Sequence, residues 1–404
     1  MNDAIFERLR GLLGDEGVER DPRGIPRAVP ESDDALALVC QAAEGEGWRF
    51  RLEGRGSWLP PDAPADFALS TQGLNRVVRV SPPDLVATVQ AGATLEAVRA
   101  QLEPLGLWLA IDPPGRPDRT LGSIVATATA GPIRHGCGPI RDHVLGCTVA
   151  TGDGRLVDAG GLVVKNVAGY DLTKLHVGGF GAFGVITELN LRLRARPESD
   201  LTLLAHGSRH ALIGAGHAAR AADLGVVALE LMAPALAAHP EWTLATRMVG
   251  SREGLQQERE RLVQETRLTW ETLPPDRAQS FWHLVARAPL GGELALRLGA
   301  LLDSLDDTVE LVLELLGEGM LSAGYGSAAL RWSGDAEANA LHRLRHRAAE
   351  REIPVTLERA PWPLRHAVGH FGAYREGVGM LVDRLRDSFD PKGIIAVALE
   401  GTRE

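Results

Sequence analysis

The sequence has few cysteines and few aromatic residues. Its 404 residues include three cysteines, eight phenylalanines, eight tryptophans and three tyrosines. Cys40, Cys137 and Cys147 are odd in number and lack the paired spacing of zinc and iron–sulfur sites. We therefore expect neither a disulfide framework nor a metal site, and we expect a reducing compartment, the cytoplasm.

The sequence also lacks an excess of positive charge and a long apolar run. Lysine and arginine number 43 against 53 aspartates and glutamates, and the resulting net charge of −10 disfavours nucleic acid as a partner. Residues 226–238 come nearest to an apolar span, yet they contain Glu230 and fall short of the roughly 18 residues of a membrane span. Residues 1–14 have the spacing of an amphipathic helix without the apolar segment of a signal peptide. We expect a chain that is soluble or at most peripheral to a membrane.

Glycine is abundant, with 46 residues in a composition that is 45% hydrophobic and 24% charged. Such a composition is typical of a globular protein, and the length predicts two or three domains. Glycine becomes sparse after Pro197, where alanine, leucine, glutamate and arginine dominate. The predicted division is a first domain at residues 1–197, a second at 198–360, and a C-terminal segment at 361–404 that returns to the first.

Helical and strand periods both occur, which predicts an α+β fold. Ser32 and Thr94 are predicted to cap helices, and alternating apolar and charged residues at 48–53 predict a strand. Residues 144–150 and 156–158 are predicted strands that the glycines of residues 152–154 join in a turn. Further on, the pattern predicts helices at 252–267 and 294–316, and a last helix whose apolar face is formed by Val378, Leu381, Leu385 and Phe389.

One glycine cluster matches a dinucleotide-binding pattern. Residues 179–184 read Gly-x-Gly-x-x-Gly, but a Rossmann site needs a helix next, because the helix N-terminus receives the pyrophosphate. Residues 185–194 instead alternate at period two, which predicts a strand. We therefore reject a nicotinamide site of the Rossmann type.

Two other glycine clusters lie where anion-binding loops are expected. Residues 54–57 follow a predicted strand, and glycine there can free successive backbone N–H groups to bind a phosphate. Residues 120–123 open a short helix, whose amides and dipole could face the same anion. Each cluster could also be an ordinary turn. Because a Walker lysine is absent, two such loops favour a dinucleotide over a triphosphate.

The motif Lys-Asn-Val-Ala-Gly-Tyr-Asp-Leu at residues 165–172 is the most specific in the chain. With residues 161–165 and 178–188 it resembles the FAD-binding subunits of bacterial glycolate oxidases, members of the vanillyl-alcohol-oxidase-like flavoprotein family with a PCMH-type FAD-binding domain. The resemblance extends over about residues 22–197. It implies that the first domain consists of two α/β subdomains that bind FAD, and that the second is an α+β cap.

The resemblance also implies which residues contact FAD. The pyrophosphate loop would be Gly54, Arg55, Gly56 and Ser57, the rest of the channel would be lined by Thr120, Gly122, Ser123, Thr127, Gly131 and Gly138, and Gly184, Val185 and Ile186 would lie against the adenine. The loop contains no histidine, so we expect the FAD to be bound non-covalently, with Cys137 as the remaining candidate for a covalent link.

The chain departs from these relatives at four places. Relatives usually have glycine at Ser123, asparagine at Ala128 and tyrosine at Cys137, and an Asn-Pro-Gly motif where residues 396–399 read Ala-Val-Ala-Leu. The last departure puts the C-terminal edge of the flavin site in doubt.

Oxidation of a 2-hydroxy acid needs a base for the hydroxyl proton and a cation for the carboxylate. His366 and His370 are spaced to share a helix face and are candidate bases, as are His342 and His346, although a solvated face is also typical of such pairs. Arg331 is a candidate carboxylate clamp, beside Arg297, and ordinary surface ion pairs are the alternative for both.

Three functions remain open on this basis. The resemblance implies an FAD-binding subunit of a glycolate oxidase or related 2-hydroxy-acid oxidoreductase, which works with a larger FAD-containing subunit and an iron–sulfur subunit and meets the inner membrane only through them. The weak catalytic candidates leave a non-catalytic structural subunit of the same complex open. A stand-alone FAD-linked 2-hydroxy-acid dehydrogenase is the third possibility.

Overall fold

A computed structural model of the protein describes residues 2–162, 171–372 and 377–396, and the statements below concern these residues. Helices and strands alternate in the first part of the chain, and helices pack on a large sheet in the second part. The predicted α+β class is confirmed. No helix in these ranges combines the length and the apolar character needed to cross a membrane.

The elements up to residue 195 build two small sheets and a two-stranded pair, Leu107–Trp108 with Arg194–Ala195. The strands are β1 (Val18–Arg20), β2 (Pro26–Ala28), β3 (Phe50–Glu53), β4 (Phe67–Ser70), β5 (Val77–Ser81), β6 (Val86–Gln90), β7 (Leu107–Trp108), β8 (Val144–Ala150), β9 (Leu156–Gly160), β10 (Val185–Arg192) and β11 (Arg194–Ala195). The helices are α1 (Asn2–Leu13), α2 (Asp33–Glu46), α3 (Leu95–Leu102), α4 (Leu121–Thr127), α5 (Arg134–Cys137) and α6 (Thr173–His176).

The later elements build one large sheet and its helices. The strands are β12 (Ser199–Gly207), β13 (Val226–Met232), β14 (Trp242–Gly250), β15 (Glu271–Leu273), β16 (Leu294–Gly299), β17 (Met320–Gly324), β18 (Ala329–Gly334), β19 (Val355–Arg359) and β20 (Ile395–Ala396). The helices are α7 (Arg209–Ala221), α8 (Pro234–Ala237), α9 (Arg252–Thr266), α10 (Pro275–Arg287), α11 (Leu305–Leu316), α12 (Ala338–Ala349), α13 (Trp362–Val368) and α14 (Val378–Phe389).

The two small sheets have different topologies. The first has the order β1-β2-β4-β3-β20, with parallel pairing from β2 to β20. The second has the order β5-β6-β10-β8-β9 and is antiparallel throughout. Parallel strands need crossover helices, and α2 supplies one between β2 and β3. Each sheet has its own apolar core, one packed on α1 and α2 and the other on α3 and α4.

The cap sheet, which we define as β12 to β19, has eight antiparallel strands in the order β15-β12-β14-β13-β17-β18-β16-β19. One face packs on α7, α9, α11 and α12 in the largest core of the described chain. The other face packs on α10 and on residues around α5, where Ala228 and Met232 of β13 contact the first half of the protein. The cap sheet runs from Ser199 to Arg359.

Side-chain caps fix several helix starts that the sequence predicted. The hydroxyl of Ser32 accepts a hydrogen bond from the N–H of Ala35 at 3.2 Å, and Thr94 accepts one from Ala97 at 3.2 Å. Such caps satisfy amide groups that have no partner within the helix. These two predicted helices are confirmed.

The predicted helix at residues 294–316 is wrong in about its first half. Leu294, Leu296 and Leu298 alternate with less apolar neighbours and are all buried, and residues 294–299 form β16, which lies next to the edge strand β19 of the cap sheet. The helix begins only at Leu305. The apolar residues of this segment fit both a helical and a strand period. Pairing with β18 and β19 makes the segment a strand.

The predicted apolar face of the last helix is also not buried in the described structure. The side chains of Val378, Leu381 and Leu385 are 37%, 60% and 38% exposed, whereas Val382 and Phe389 pack on the first core. Phe389 is the one residue of the predicted face in this contact, so the stripe by which α14 packs on the first core matches the prediction only in part. β20 then returns to the first sheet and pairs with β3.

Candidate functional site

A cleft of about 1020 Å³ is lined by residues from both small sheets. Its walls are the loop after β3, the helix α4 and the segment that leads into β10. The lining includes these residues that the sequence singled out: Gly54, Arg55, Gly56, Ser57, Thr120, Gly122, Ser123, Thr127, Gly184, Val185 and Ile186. Segments far apart in the sequence therefore converge on one concave surface, as a dinucleotide cofactor requires.

The loop of residues 54–57 leaves backbone donors open to the cleft. The N–H groups of Arg55, Gly56 and Ser57 have no hydrogen-bond partner among the described residues. Gly56 has a φ of +66°, and a Cβ built there meets no atom within 4 Å. Adjacent free amides beside open space are the geometry of an anion-binding nest.

The start of α4 differs from the prediction. Leu121 donates its N–H to Ala93 O at 2.9 Å, and Gly122 donates to Ala91 O at 2.7 Å. Ser123 N–H is used by the cap hydroxyl of Thr120 at 3.3 Å. These amides are therefore not free for a phosphate, because the helix start is anchored to the segment after β6. Gly122 is required for close packing, since a Cβ there would lie 2.8 Å from that of Ala91.

Gly131 and Gly138 do not line this cleft. A Cβ on Gly131 would lie 2.0 Å from Asp112 O, so glycine is needed there for the close approach of two chain segments. Gly138 ends α5 with a φ of +93°, a conformation that favours glycine. Both are explained by backbone geometry without a ligand.

Sequence reasoning missed two buried residues behind the cleft, Trp58 and Arg119. The indole N–H of Trp58, which lines the cleft, is buried without a partner. Arg119 lies 4.2 Å above the Trp58 ring and donates from Nε to Ser123 Oγ at 3.2 Å and from Nη2 to Thr127 Oγ1 at 2.6 Å. Burial lowers the pKa of Arg119 to about 9, so it remains a cation at neutral pH. The unsatisfied indole is a donor that a polar cofactor could satisfy.

The two predicted histidine bases do not share a helix face. His366 is exposed on α13 and stacks on Trp362 at 5.3 Å. His370 lies beyond the end of α13 and is buried, with Nδ1–H donating to Leu357 O at 2.6 Å and its ring 4.9 Å from that of Phe180. Burial lowers the pKa of His370 to about 4, far below the value that suits a general base at neutral pH. His342 and His346 are exposed on α12.

Arg331 and Arg297 do not form the surface pairs that the sequence suggested as their alternative role. Both pair with Glu358, Arg297 at 2.9 Å and Arg331 at 3.2 Å, and the side chain of Glu358 is only 1% exposed. Arg331 also donates to Ala130 O, which joins the cap sheet to the segment after α4. Burial alone would raise the pKa of Glu358, but Arg331 and Arg297 outweigh it and lower the pKa. Both candidate clamps are therefore already bound to a carboxylate.

Glu230 is a further buried acid. In the sequence it stands out only as the charge that interrupts the apolar residues 226–238. It lies on β13, and burial raises its pKa to about 8, so it is mostly protonated at neutral pH. The sequence signal for a functional acid was its position alone among the apolar residues 226–232, which are all buried in the structure. A neutral carboxyl near Arg331 could donate a hydrogen bond.

The remaining candidates lie away from the cleft or outside the described residues. Cys137 is buried, which raises its thiol pKa, and does not line the cleft. In the motif of residues 165–172, Asp171 pairs with Lys174 at 3.0 Å, whereas residues 163–170, like residues 397–399, lie outside the described part of the chain. Ala128, where relatives have asparagine, ends α4 with a φ of +47°, a conformation that asparagine tolerates better than alanine.

The strand after the Gly-x-Gly-x-x-Gly pattern is confirmed as β10. Gly181 and Gly184 have positive φ, and a Cβ on Gly184 would lie 2.7 Å from Ala150 O. The pattern therefore makes a tight turn into a strand, and it brings Gly184 and the start of β10 to the cleft wall.

Comparison with known proteins agrees with this geometry. Residues 27–160 match the family described as FAD binding domain. Glycolate oxidase subunit GlcE of Escherichia coli is 42% identical over 128 residues, which are 31% of this chain and 37% of that protein. Glycolate oxidase subunit GlcD of Bacillus subtilis is 38% identical over 133 residues, 33% of this chain and 28% of that protein. The chain thus matches less than half the length of these relatives.

The structural likeness extends much further than the sequence likeness. The solved structure of p-cresol methylhydroxylase with substrate bound superposes with a TM-score of 0.81, covering 99% of this chain and 96% of that one, at 11% identity. At this identity the likeness establishes the fold alone. The resemblance inferred from the sequence is confirmed: residues 27–160 form a domain of the FAD-binding family, and the chain has the fold of p-cresol methylhydroxylase.

Proposed function

We propose that this chain is the FAD-binding subunit of a 2-hydroxy-acid oxidoreductase of the glycolate oxidase kind. The observation that carries the proposal is the open loop of residues 54–57 within an FAD-binding domain, where three free amides face a cleft with room at Gly56. FAD, when bound, would accept the electrons that leave the hydroxy acid.

The residues of the cleft have distinct roles in this proposal. The amides of Arg55, Gly56 and Ser57 hold the pyrophosphate, and the exposed guanidinium of Arg55 adds positive charge. The Ser123 hydroxyl accepts from Arg119 and so keeps its own O–H available to donate into the cleft. Arg119 fixes the position of this hydroxyl and places a cation behind the wall.

We propose non-covalent binding. Among the described residues that line the cleft there is no histidine, cysteine or tyrosine, the side chains whose nucleophilic atoms suit a covalent flavin link. Cys137 lies instead in an apolar cluster between the cap sheet and α5.

We further propose that electrons leave this chain through partner subunits. The three cysteines, all buried, have no cluster-binding pattern, so an iron–sulfur centre would have to belong to another chain. GlcE and GlcD are both named as subunits, which supports assembly into a multi-subunit complex. We propose a larger FAD-containing subunit and an iron–sulfur subunit as the partners, with any membrane contact made through them.

One observation favours the second candidate, a subunit that binds FAD without oxidising the hydroxy acid itself. Glu358 already occupies Arg297 and Arg331, the two cations suited to a substrate carboxylate. His370, with a pKa near 4, is a weak base at neutral pH. The larger subunit would then carry out the oxidation.

The cofactor site can be tested with a matched pair of glycine variants. Gly56 and Gly24 both have positive φ, +66° and +78°, and both have open space at the Cβ position, but only Gly56 lines the cleft. We expect Gly56→Ala to weaken FAD binding at least tenfold in fluorescence titration, because its methyl group enters the cleft, and Gly24→Ala to leave affinity unchanged. A wild-type chain that stays colourless after loading with FAD and desalting would contradict the site.

One experiment distinguishes the two proposed functions. The FAD-loaded chain is mixed anaerobically with glycolate or D-lactate, alone and with the partner subunits. Bleaching of the flavin in the isolated chain supports an independent active site. Bleaching only with partners supports the non-catalytic subunit.

A further inference from the structure

A second cavity lies between the first half of the protein and the cap. This interdomain cavity, of about 1690 Å³ including space open to solvent, is lined by α3, the loop of residues 112–117, β12, β14 and α10. It shares no described lining residue with the FAD cleft. Its walls are joined where Gly115 N–H donates to Ala286 O at 2.7 Å. The cavity is therefore a feature of the packed domains and not of one loop.

The cavity collects positive charge in an acidic chain. Its lining contains five arginines and three aspartates, a balance of +2 in a chain of net charge −10: Arg99, Arg116, Arg196, Arg247, Arg287, Asp112, Asp200 and Asp276. Arg116 and Arg196 have exposed acid partners outside the lining, which water screens. A cationic concave surface attracts anions.

Arg99 is the most informative of these cations. It is partly buried, and burial lowers its pKa. Its guanidinium donates to Ile111 O, but among the described residues no carboxylate lies within ion-pair distance, and its other N–H groups have no partner. These N–H groups are therefore available to an anion that enters the cavity from solution.

The surroundings of Arg99 are held in place. Arg247 donates from Nε to Asp200 Oδ1 at 3.0 Å and from Nη2 to Asp200 Oδ2 at 2.5 Å, a bidentate pair that leaves Nη1 free. The indole N–H of Trp282 donates to Thr202 Oγ1 at 2.9 Å, so the ring is fixed in the wall, and Trp108 adds a second aromatic surface. A cavity lined by both guanidinium donors and indole rings suits a planar carboxylate with an apolar body.

We propose that the interdomain cavity binds a small carboxylate with an apolar body, whose carboxylate pairs with Arg99 and whose body packs on Trp108 and Trp282. Asp112 opposes this binding, because its carboxylate lies near both Arg99 and Arg247. The site is separate from the FAD cleft, so the proposal does not depend on the function proposed above.

The test is titration calorimetry of the full chain with benzoate, benzamide, acetate and inorganic phosphate. Benzoate should bind at least tenfold more tightly than benzamide, which lacks the charge, and than acetate, which lacks the ring. Tighter binding of phosphate than of benzoate would overturn the carboxylate assignment. Affinity for benzoate should be the same within twofold with and without FAD, and loss of binding on loading with FAD would overturn the separate site.

Two variants that change the charge of the cavity in opposite directions locate the binding site. Arg99→Gln should weaken benzoate binding at least tenfold, and Asp112→Asn should strengthen it, because the competing carboxylate is removed. Arg259→Gln, an exposed arginine of α9 without an ion pair among the described residues, should change nothing. Equal affinities in Arg99→Gln, Asp112→Asn and the wild type refute the proposal. If Arg99→Gln does not fold, Asp112→Asn decides the matter alone.

Discussion

Glu358 joins two arginines of the cap sheet, and its removal provides a quantitative test of the buried charge cluster. In Glu358→Gln the side chain keeps its size, but Arg297 and Arg331 lose their counter-ion. The side chain of Glu358 is 1% exposed, and those of Arg297 and Arg331 are 25% and 15% exposed. Breaking a buried pair costs about 3–5 kcal/mol, and because water reaches both arginines we expect about 3 kcal/mol.

The assay is urea unfolding followed by tryptophan fluorescence at pH 7. The control is Glu103→Gln, which breaks the exposed pair with Arg196 and should change the free energy of unfolding by less than about 1 kcal/mol. A loss in Glu358→Gln no larger than in Glu103→Gln would falsify the view that Glu358 is the hub of a buried cluster.

The same variant has a predicted pH dependence. The arginines hold the pKa of Glu358 below its usual range against the effect of burial. A carboxylate with a lowered pKa in the folded state stabilises the fold above its unfolded pKa, about 4.3, and this stabilisation is lost as the pH falls through the folded value. The difference between wild type and Glu358→Gln should therefore be full at pH 7 and shrink below pH 4. A difference that is constant down to pH 3 would show that packing and not charge is responsible.

Two further predictions concern stability. Ala128→Gly should raise the free energy of unfolding by about 0.5–1 kcal/mol in urea denaturation, because Ala128 has a φ of +47° that glycine adopts without strain; a decrease would contradict that conformation. Asp390→Ala should lower it by about 1–3 kcal/mol, because the buried carboxylate accepts from Ile394 N at 2.9 Å and Ile395 N at 3.0 Å and so holds β20. Exposed Asp387→Ala is the control, and an equal effect of the two changes would contradict the role of Asp390.

The sequence was most informative where one residue type has one physical use. Ser32 and Thr94 predicted helix starts, because few residues cap an amide so well. The period-two pattern after Gly184 predicted β10 and so excluded a Rossmann site. Residues 294–299 were misassigned because leucine suits both a helix and a buried strand, and only pairing with distant strands decided between them.

The candidate site was predictable in its backbone parts and not in its side-chain partners. The loop of residues 54–57 was visible as a glycine cluster, whereas the contact of Arg119 with Trp58 joins residues 61 positions apart and leaves no local pattern. The pair of Arg331 with Glu358 is also non-local, and it places Arg331, predicted as a carboxylate clamp or a member of a surface ion pair, in a buried cluster. Side-chain roles depend on contacts that the chain makes only when folded.

The state of Arg331 also bears on how binding and catalysis are divided. The amides at residues 55–57 are free, so the cleft is prepared for an anion that the chain itself does not supply. Arg297 and Arg331 are in the opposite state, because Glu358 supplies their anion internally. A substrate carboxylate would have to displace a buried glutamate, which two guanidinium groups hold, before it could use either cation. Among the described residues, the cleft amides are thus open to an anion, whereas Arg297 and Arg331 are not, as expected for the proposed subunit that binds FAD without oxidising the hydroxy acid itself.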